Sequence, residues 1–405
     1  MVLIPITNGL SPKSKMNNQF NFKVSVFVHA KYLAFRMSEG LNKYGVLDKI
    51  YTIYPKFKMR GYDIPKNKIV SFPLLGAVKY LKMRWLKKIS DDRLSDFFSF
   101  VVSLTLKKPK LVVSRTEPWI FHAFSGYCER PLKKAKKLGA VTVIERGCTH
   151  IDEQQRIMAE EESLLFKRAV QPKWKYVYDR MKREYELADY IVVPSTYSQK
   201  SFLARGFSPK KVIVVPICSE KLTRPTPESE KPKRFTVLVT GGQFIRKGLF
   251  YVLEAWQKLN LPDAELLFKG SVPKEFEYLL EAKNIRRITK FLSDEEMTKL
   301  YNEAHVFVLP SIDEGFGQVV MEAMSAGLPV IVTENVGSAD GVENGKDGFV
   351  VPIRSSDAIA EKIKFFYDNP EKLKMMSTAA IEKSKFYSPG EFTKRIIAAY
   401  QSMLA

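Results

Sequence analysis

The sequence predicts two doubly wound α/β domains that face each other across a cleft. The chain has 405 residues, which is too many for one compact core. Short apolar strands alternate with amphipathic helical stretches, and this alternation occurs twice along the chain. A proline-containing segment of mixed charge, residues 219–234, separates the two series and reads as a linker. Sheets of this kind bind ligands beyond the carboxyl ends of their strands.

The first series contains five predicted strands, all near-continuous apolar and β-branched runs. Parallel strands that are covered on both faces have this composition. The five strands are 22–28, 110–114, 140–145, 190–194 and 211–216. Between the second and third of them the sequence predicts a helix from Phe121 to Leu138, which Gly139 ends.

The second series also contains five predicted strands, followed by a terminal helix after a Ser-Pro-Gly break. The strands are 235–239, 264–270, 305–310, 328–333 and 348–352. The predicted organisation is therefore a loose arm at 1–20, a first domain at 21–220, a linker at 221–234, a second domain at 235–387 and a helix at 388–405.

Composition indicates an ordinary globular protein, with 45% hydrophobic and 12% aromatic residues. No apolar run approaches ~18 residues, so no membrane-spanning helix is predicted. The first residues lack the basic and apolar regions of a secretory signal. The three cysteines suit neither a disulfide framework nor a zinc site. We therefore expect a cytoplasmic protein.

The positive charge is confined to the first part of the chain. The net charge is +21, and residues 1–230 carry all of it, with 42 Lys and Arg against 21 Asp and Glu. Residues 231–405 carry 23 of each and are neutral. This division predicts that the first domain faces an anionic partner.

A candidate anion site follows the predicted strand at 305–310. Glu314, Gly315 and Gly317 occupy the loop, and a helix begins near Gln318 and Val319. Glycines allow close approach of a ligand, and unpaired N–H groups at a helix start suit phosphate. Glu322, in the second turn of that helix, could accept hydrogen bonds from the hydroxyls of a ribose. The alternative is that Glu322 is only a solvated residue beside an apolar stripe.

A second candidate feature follows the first strand after the linker. Gly241 and Gly242 loosen the turn, and Arg246 and Lys247 stand just before a helix. Two cations there could offset the charge that builds up on a departing diphosphate. The alternative is a solvated basic pair. Gly270, the last residue of the predicted strand 264–270, also belongs to the predicted donor-binding set.

Phe291 is a further member of that predicted set. No D-x-D, H-E-x-x-H or Walker sequence occurs, so we expect no bound metal and no cofactor. His150 follows the strand at 140–145 and is the candidate histidine near the chemistry. Glu145 and Arg146 share its loop and could instead pair with each other.

These residues resemble family 4 glycosyltransferases, which have the GT-B fold. The resemblance rests on four stretches: "EGFGQVVME" as an E-x(7)-E motif, "RKG" at 246–248, "LSDEEMTKLYNEAHVFVLPS", and "AGLPVIVTENVGSADGVENGKDGFVVP". It covers most of 235–385. In the first part, "AVTVIERGCTHI" and "ELADYIVVPSTYSQKSFLARGF" are also similar to other members. Many members have Gly-Arg where this chain has Gly241-Gly242.

The resemblance implies a retaining, metal-independent transfer from a nucleotide sugar. It implies that Glu322 holds the ribose, that Glu314 approaches the donor sugar, and that Arg246 and Lys247 contact the diphosphate. The backbone of Phe316–Val319 would contact the sugar and phosphates. The final helix would cross back to the first domain.

In this fold the second domain takes the donor and the first takes the acceptor. The basic, partly aromatic segment 78–89 resembles an interfacial helix. We therefore expect a glycan or lipid-linked acceptor in polysaccharide or glycoconjugate synthesis, with peripheral contact to the cytoplasmic membrane face as a further hypothesis. The alternatives are sugar transfer onto nucleic acid, a nucleotide-sugar epimerase of the same fold, and a non-catalytic binder. Nucleic acid is not favoured, because no binding motif occurs.

Overall fold

The structure is a computed structural model that describes most of the chain. The described residues are 20–29, 33–76, 91–109, 117–167, 175–219, 223, 232–282 and 284–405. Four predictions lie wholly or largely outside them: the arm at 1–20, the basic segment 78–89, the strand at 110–114 and the linker at 221–234.

The first sheet has seven strands, and every neighbouring pair is parallel. Its order is β3-β2-β1-β4-β5-β6-β7. The strands are β1 (Lys23–Val28), β2 (Leu47–Thr52), β3 (Ile69–Ser71), β4 (Trp119–Phe124), β5 (Val141–Glu145), β6 (Tyr190–Val193) and β7 (Val212–Val214).

The second sheet has six strands, again all parallel. Its order is β10-β9-β8-β11-β12-β13. The strands are β8 (Phe235–Gly241), β9 (Ala264–Gly270), β10 (Ile285–Ile288), β11 (Val306–Leu309), β12 (Val330–Thr333) and β13 (Gly348–Val351).

Helices connect the strands of both sheets. Those of the first domain are α1 (Ala34–Lys43), α2 (Asp91–Thr105), α3 (Glu129–Lys137), α4 (Ile151–Phe166), α5 (Lys175–Leu187) and α6 (Thr196–Leu203). The later helices are α7 (Leu249–Lys258), α8 (Asp294–Glu303), α9 (Gln318–Ser325), α10 (Ser356–Asp368), α11 (Pro370–Lys385) and α12 (Pro389–Leu404). Short 3-10 helices occur at Lys56–Met59, Lys66–Lys68, Lys274–Leu280 and Gly337–Gly341. None of the described helices is long and apolar enough to cross a membrane.

The helix predicted from Phe121 to Leu138 is wrong over its first half. Residues 119–124 form β4, which pairs with β1 and β5 in the middle of the sheet. The run "WIFHAF" is almost entirely buried, as a central strand requires, and only α3 is helical in the predicted range. Apolar runs of this length fit a buried strand or a buried helix equally well by periodicity.

Strands β2, β3 and β10 were not predicted from the sequence. The β2 sequence "LDKIYT" contains two charged residues, and β3 has only three residues. The β10 sequence "IRRI" has two exposed arginines. Two of these strands, β3 and β10, lie at sheet edges, where one side of the strand has no partner and the apolar signal is weak.

The terminal helix α12 packs against the first domain, which confirms the predicted crossing. The Tyr400 hydroxyl lies 2.8 Å from Nδ1 of His122 on β4. The Tyr190 hydroxyl on β6 donates to the carbonyl oxygen of Met403 at 3.1 Å. The two doubly wound domains and their returning helix therefore agree with the predicted fold.

Candidate functional site

The loop between β11 and α9 places Glu314 at the carboxyl edge of the second sheet. Its backbone N–H donates to the carbonyl oxygen of Asn335 at 3.0 Å, and its carbonyl oxygen accepts from the N–H of Gly337 at 2.8 Å. These two bonds tie the loop to the segment after β12. The Glu314 side chain is only 14% exposed, so its position is defined by surrounding groups.

The structure brings the two predicted motifs of the second domain into contact. The Lys247 Nζ lies 2.5 Å from Oε2 of Glu314, and the Arg246 Nη2 lies 3.7 Å from Oε1. The N–H of Ile312 donates to the carbonyl oxygen of Arg246 at 2.9 Å, which joins the two loops through their backbones. Arg246, Lys247 and Glu314 thus form one charged cluster beside the start of α9.

Arg246 is fixed by contacts on three sides. Its Nε donates to the carbonyl oxygen of Asp313 at 2.9 Å, and its Nη2 lies 3.5 Å from Sγ of Cys148 in the first domain. Burial acts to lower the pKa of Arg246, but Cys148, Glu314 and Asp313 raise it above its ordinary value. The guanidinium is therefore a permanent positive charge at the domain boundary.

The two glycines of this loop are required for different structural reasons. Gly317 has a φ of 84°, a left-handed conformation that favours glycine, at the position before α9. At Gly315 a Cβ would lie 2.0 Å from the carbonyl oxygen of Gly147. Gly315 thus permits close approach of the first domain, whereas the sequence suggested approach of a ligand.

Other predicted donor-binding residues surround the same edge. Gly241 and Gly270 end β8 and β9 and are partners in the sheet register. Gly242 follows them in the loop that leads to Arg246, and open space lies around it.

Two other segments of the chain pack around the start of α9. Gln318 donates through Nε2 to the carbonyl oxygen of Cys218 at 2.8 Å, and Val319 is partly buried. The Phe316 ring packs 5.6 Å from that of Tyr387. The helix has no side-chain cap, so its first N–H groups keep the donor capacity that the sequence analysis assigned to them.

Glu322 is held by a tyrosine that the sequence analysis did not single out. The Tyr301 hydroxyl on α8 donates to Oε2 of Glu322 at 3.0 Å. Burial, and then the charge of Glu322, raise the pKa of Tyr301 well above its ordinary value. Tyr301 therefore remains a hydrogen-bond donor at neutral pH and orients the Glu322 carboxylate.

His150 lies within the first domain and outside the charged cluster. Its Nδ1 accepts from the N–H of Asp152 at 3.2 Å and so caps α4. Its ring packs 5.0 Å from the rings of both Tyr185 and Phe202. Burial lowers the pKa of His150 to about 4. A direct role in the chemistry stays a prediction that this packing does not favour.

The structure defines the surroundings of three further candidates, Glu145, Arg146 and Phe291. Glu145 pairs with His122 through Oε2 at 3.2 Å, and Arg146 donates to the carbonyl oxygen of Thr149 and to Gln154. The suggested pairing of Glu145 with Arg146 is therefore not among their contacts. Phe291 is 94% exposed on the second domain.

Asp313 is a residue of the domain boundary that the sequence did not single out. Its side chain is fully buried between the domains. First-domain donors surround it: the Thr149 hydroxyl at 2.9 Å, the Tyr197 hydroxyl at 3.0 Å and Nε2 of Gln154 at 2.9 Å. Buried polar groups require hydrogen-bond partners, and this carboxylate has them across the domain boundary.

The first-domain donors around Asp313 are uncharged at physiological pH, whereas Nε of Arg246 in the second domain lies 3.8 Å from its Oδ2. Burial, followed by the charge of Asp313, raises the pKa of the Cys148 thiol to about 11, and the thiol lies 3.2 Å from Oδ2 of Asp313. Burial and the same carboxylate also raise the pKa of Tyr197. We call Asp313 with Cys148, Thr149, Gln154 and Tyr197 the interdomain cluster.

Two more sets of contacts close the boundary. At the start of α6, the Ser195 hydroxyl donates to the carbonyl oxygen of Gly315 at 2.8 Å, and the N–H of Thr196 donates to Asp340 at 2.7 Å. Helix α4 reaches the second domain, where its Glu161 accepts from Tyr251 at 2.7 Å and from Nε of Arg354 at 2.6 Å. The carboxyl edges of the two sheets therefore face each other directly.

An anion bound at this edge would meet two cations and the start of α9. One carboxylate, Glu314, precedes the start of the helix, and the other, Glu322, follows it. Such a set suits a diphosphate joined to groups that carry hydroxyls. Within the part of the chain that the structure describes, no group of three or more His, Cys, Asp and Glu side chains could hold a metal ion.

Comparison with known proteins places the similarity mainly in the second domain. Residues 223–383 match the family model described as Glycosyl transferases group 1. An uncharacterized glycosyltransferase of Haemophilus influenzae is 27% identical over 219 residues, which are 53% of this chain and 60% of that protein. A capsular polysaccharide biosynthesis glycosyltransferase, CapM of Staphylococcus aureus, is 42% identical over 25% of this chain and 28% of its own length.

Among solved structures, HepE of Anabaena in complex with UDP and glucose superposes with a TM-score of 0.66. It is 14% identical, and the match covers 94% of this chain and 100% of that one. This likeness shows the fold, which is GT-B. The chain spans less than two thirds of the length of the curated relatives reported above.

The buried imidazole of His150 predicts a specific loss of stability in weak acid. Its pKa falls from 6.5 to about 4 on folding. As the pH drops from 6.5 towards 4, the unfolded chain takes up a proton that the folded chain does not. This group alone should therefore lower the free energy of unfolding by about 2 kcal/mol between pH 7 and 5, and the loss should level off below pH 4.

Urea unfolding of the wild type and His150→Asn at pH 7 and 5 measures this effect. Asparagine can still cap α4 but does not titrate. We expect a smaller pH-dependent loss in His150→Asn, and equal losses in both proteins would show that His150 is not responsible.

Asp313→Ala should strongly destabilise the chain. The substitution leaves the buried hydroxyl of Thr149 and the partly buried donors of Gln154 and Tyr197 without their acceptor. We expect the free energy of unfolding to fall by about 3 kcal/mol or more in urea unfolding. The control is Asp357→Ala. The Asp357 side chain is 86% exposed and pairs with Lys258, so its loss should change the free energy of unfolding by less than about 0.5 kcal/mol. Similar losses in the two variants would contradict the importance of the interdomain cluster.

Proposed function

We propose that this chain, an enzyme of the GT-B glycosyltransferase superfamily, is a family 4 member that transfers a sugar from a nucleotide diphosphate sugar with retention of configuration. The acceptor is a glycan or a lipid-linked sugar, and no bound metal takes part. One observation carries the proposal: Arg246 and Lys247 meet Glu314 beside the start of α9.

The cations and the helix start together bind the diphosphate in this proposal. Arg246 and Lys247 supply charge-assisted hydrogen bonds, and the uncapped N–H groups near Gln318 supply the remaining donors. As the leaving diphosphate gains charge, these groups stabilise it without protonation. Glu322, oriented by Tyr301, accepts hydrogen bonds from the ribose.

In this proposal Glu314 links the binding of the diphosphate to the binding of the donor sugar. Its carboxylate shares Lys247 with any diphosphate that binds, because the Nζ lies 2.5 Å from Oε2. A phosphate that draws Lys247 away leaves the Glu314 carboxylate to face the sugar. The dry surroundings of the 14% exposed side chain strengthen its interaction with the positive charge that develops on the sugar ring.

UDP is the first nucleotide to test, because HepE was crystallised with UDP and glucose. The similarity to CapM supports a place in polysaccharide synthesis.

Lys247→Ala should abolish UDP binding. At a UDP concentration of about one hundred times the dissociation constant, wild-type protein should gain about 2.7 kcal/mol of stability. Thermal unfolding with UDP, with and without EDTA, measures this. We expect the same gain in EDTA, since Arg246 and Lys247 replace a metal in this proposal.

The matched control is Lys258→Ala, on the exposed side of α7, where Lys258 pairs with Asp357 at 2.7 Å. It should bind UDP like the wild type. Unchanged binding in Lys247→Ala, or loss of binding in EDTA, would contradict the proposal.

We also propose that the protein contacts the cytoplasmic face of a membrane through its basic first part. Residues 1–230 carry the whole net charge of +21. Vesicles that contain acidic lipids should therefore retain the protein at low salt and release it as salt is raised. Failure to bind such vesicles at low salt would rule the membrane proposal out.

A further inference from the structure

A cavity of about 390 Å³ lies in the first domain between α2, α3 and α5. Its lining is strongly charged, with four basic and two acidic side chains: Arg130, Lys133, Arg180, Arg183, Asp96 and Glu129. The balance is two positive charges. Small-molecule sites commonly have volumes of about 300–1,000 Å³, so a monosaccharide derivative fits this space.

Arg180 forms the buried wall of the cavity and has unused hydrogen-bonding capacity. Its side chain is 3% exposed, its Nε donates to the carbonyl oxygen of Gly126 at 2.7 Å, and its Nη1 pairs with Asp96. Its Nη2 is buried and has no hydrogen-bond partner. A buried donor without an acceptor costs free energy, so one N–H group of this guanidinium stays unsatisfied by the described chain.

The other cations lie nearer the opening and are only partly compensated. Glu129 pairs with Lys133 at 2.6 Å and with Nη2 of Arg183 at 3.0 Å, so one carboxylate serves two cations. Arg130 is exposed, and its guanidinium lies over the Phe100 ring at 5.6 Å. Its contacts within the described chain include no carboxylate.

The charge of this cavity belongs to side chains, because the start of α3 is already satisfied. The buried Glu184 carboxylate accepts from the N–H groups of Gly126 and Cys128, both at 2.6 Å, and from that of Glu129 at 3.2 Å. An anion in the cavity would therefore be recognised by guanidinium and ammonium groups, whose planar or clustered donors suit phosphate.

The cavity lies at the edge of the sheet that faces the second domain. Phe124 at the end of β4 is in register with Glu145 at the end of β5. The loop after β5 carries Thr149, which contacts Asp313, and the loop after β4 carries Tyr127, which lines the cavity. A molecule held here is therefore on the side of the first domain where an acceptor is needed.

Aromatic side chains complete the lining. The Arg180 guanidinium lies 4.5 Å from the centre of the Tyr127 ring and 5.4 Å from that of Tyr176. Tyrosine rings present apolar faces together with hydroxyl groups, which suits a sugar ring better than it suits a free ion.

We propose that this cavity binds a phosphate group carried on a sugar of the acceptor. The identification of the ligand as an acceptor rests on the proposed function, but binding of the phosphate can be measured without sugar transfer. Arg183, Arg130 and Lys133 hold the phosphate, Arg180 supplies the buried charge, and the tyrosines contact the sugar.

The phosphate has two possible sources, a soluble sugar phosphate or a lipid phosphate. The outer face of α2 beside the cavity exposes Phe97, Phe100 and Leu104 by 51%, 40% and 66%. These residues share one face of the helix through their spacing of three and four. A lipid tail would have apolar surface next to the cavity.

Calorimetric titration with glucose 1-phosphate tests the site. The variant is Arg130→Gln with Arg183→Gln, because both side chains are exposed enough to be replaced without disrupting the core. The dissociation constant should rise by about tenfold, the loss expected for charge-assisted hydrogen bonds. The matched control, Lys134→Gln with Lys137→Gln, removes two charges from α3 outside the cavity. It should change the dissociation constant by less than about twofold. Glucose should not bind.

Sedimentation with vesicles that contain phosphatidic acid, compared with phosphatidylcholine alone, distinguishes the lipid source. Loss of phosphatidic acid binding in the arginine variant but not in the lysine control supports the site and assigns it to a lipid phosphate. The inference is overturned if neither ligand distinguishes the arginine variant from the lysine control. UDP binding is measured in the same samples: if UDP binds while both phosphate ligands fail, the donor site stands and only the cavity proposal falls.

Discussion

The carboxylate of Asp313 holds the two domains together, and the geometry of the site depends on it. It belongs to the second domain, yet its side-chain partners Thr149, Gln154 and Tyr197 belong to the first. The Asp313 side chain is fully buried, and separating the domains would remove these hydrogen-bond partners from it. The interdomain cluster therefore favours the arrangement in which the carboxyl edges of both sheets meet.

The charged cluster of the second domain inherits its geometry from this contact. Asp313 is followed directly by Glu314, and its carbonyl oxygen accepts from Nε of Arg246. The same guanidinium approaches Cys148 of the first domain. Because Gly315 also packs on Gly147, any opening of the boundary moves the loop that carries Glu314. The position of this carboxylate is thus coupled to the separation of the domains, although no ligand contact is needed to define it.

The sequence predicted the elements that local chemistry determines and missed those set by distant contacts. The apolar run of β11 and the glycines after it identified Glu314, and the basic pair identified Arg246 and Lys247. Asp313 sits beside Glu314, but its side-chain partners lie 116 to 165 positions away, so their convergence has no local signal. His150 follows a strand, as Glu314 does, yet aromatic neighbours from α5 and α6 enclose it. Similarly, "WIFHAF" carried no periodicity that separates strand from helix.

At each of the two candidate sites, a carboxylate of the same chain already contacts a cation. Lys247 contacts Glu314 in the second domain, and Arg183 contacts Glu129 in the first. An anion that binds exchanges one partner for another, so its cation is placed beforehand and little side-chain entropy is lost on binding. The same competition weakens affinity, because each internal carboxylate reclaims its cation when the anion leaves. In the transfer proposed above, a site of this kind releases its nucleotide and its product more readily than a site of unpaired cations would.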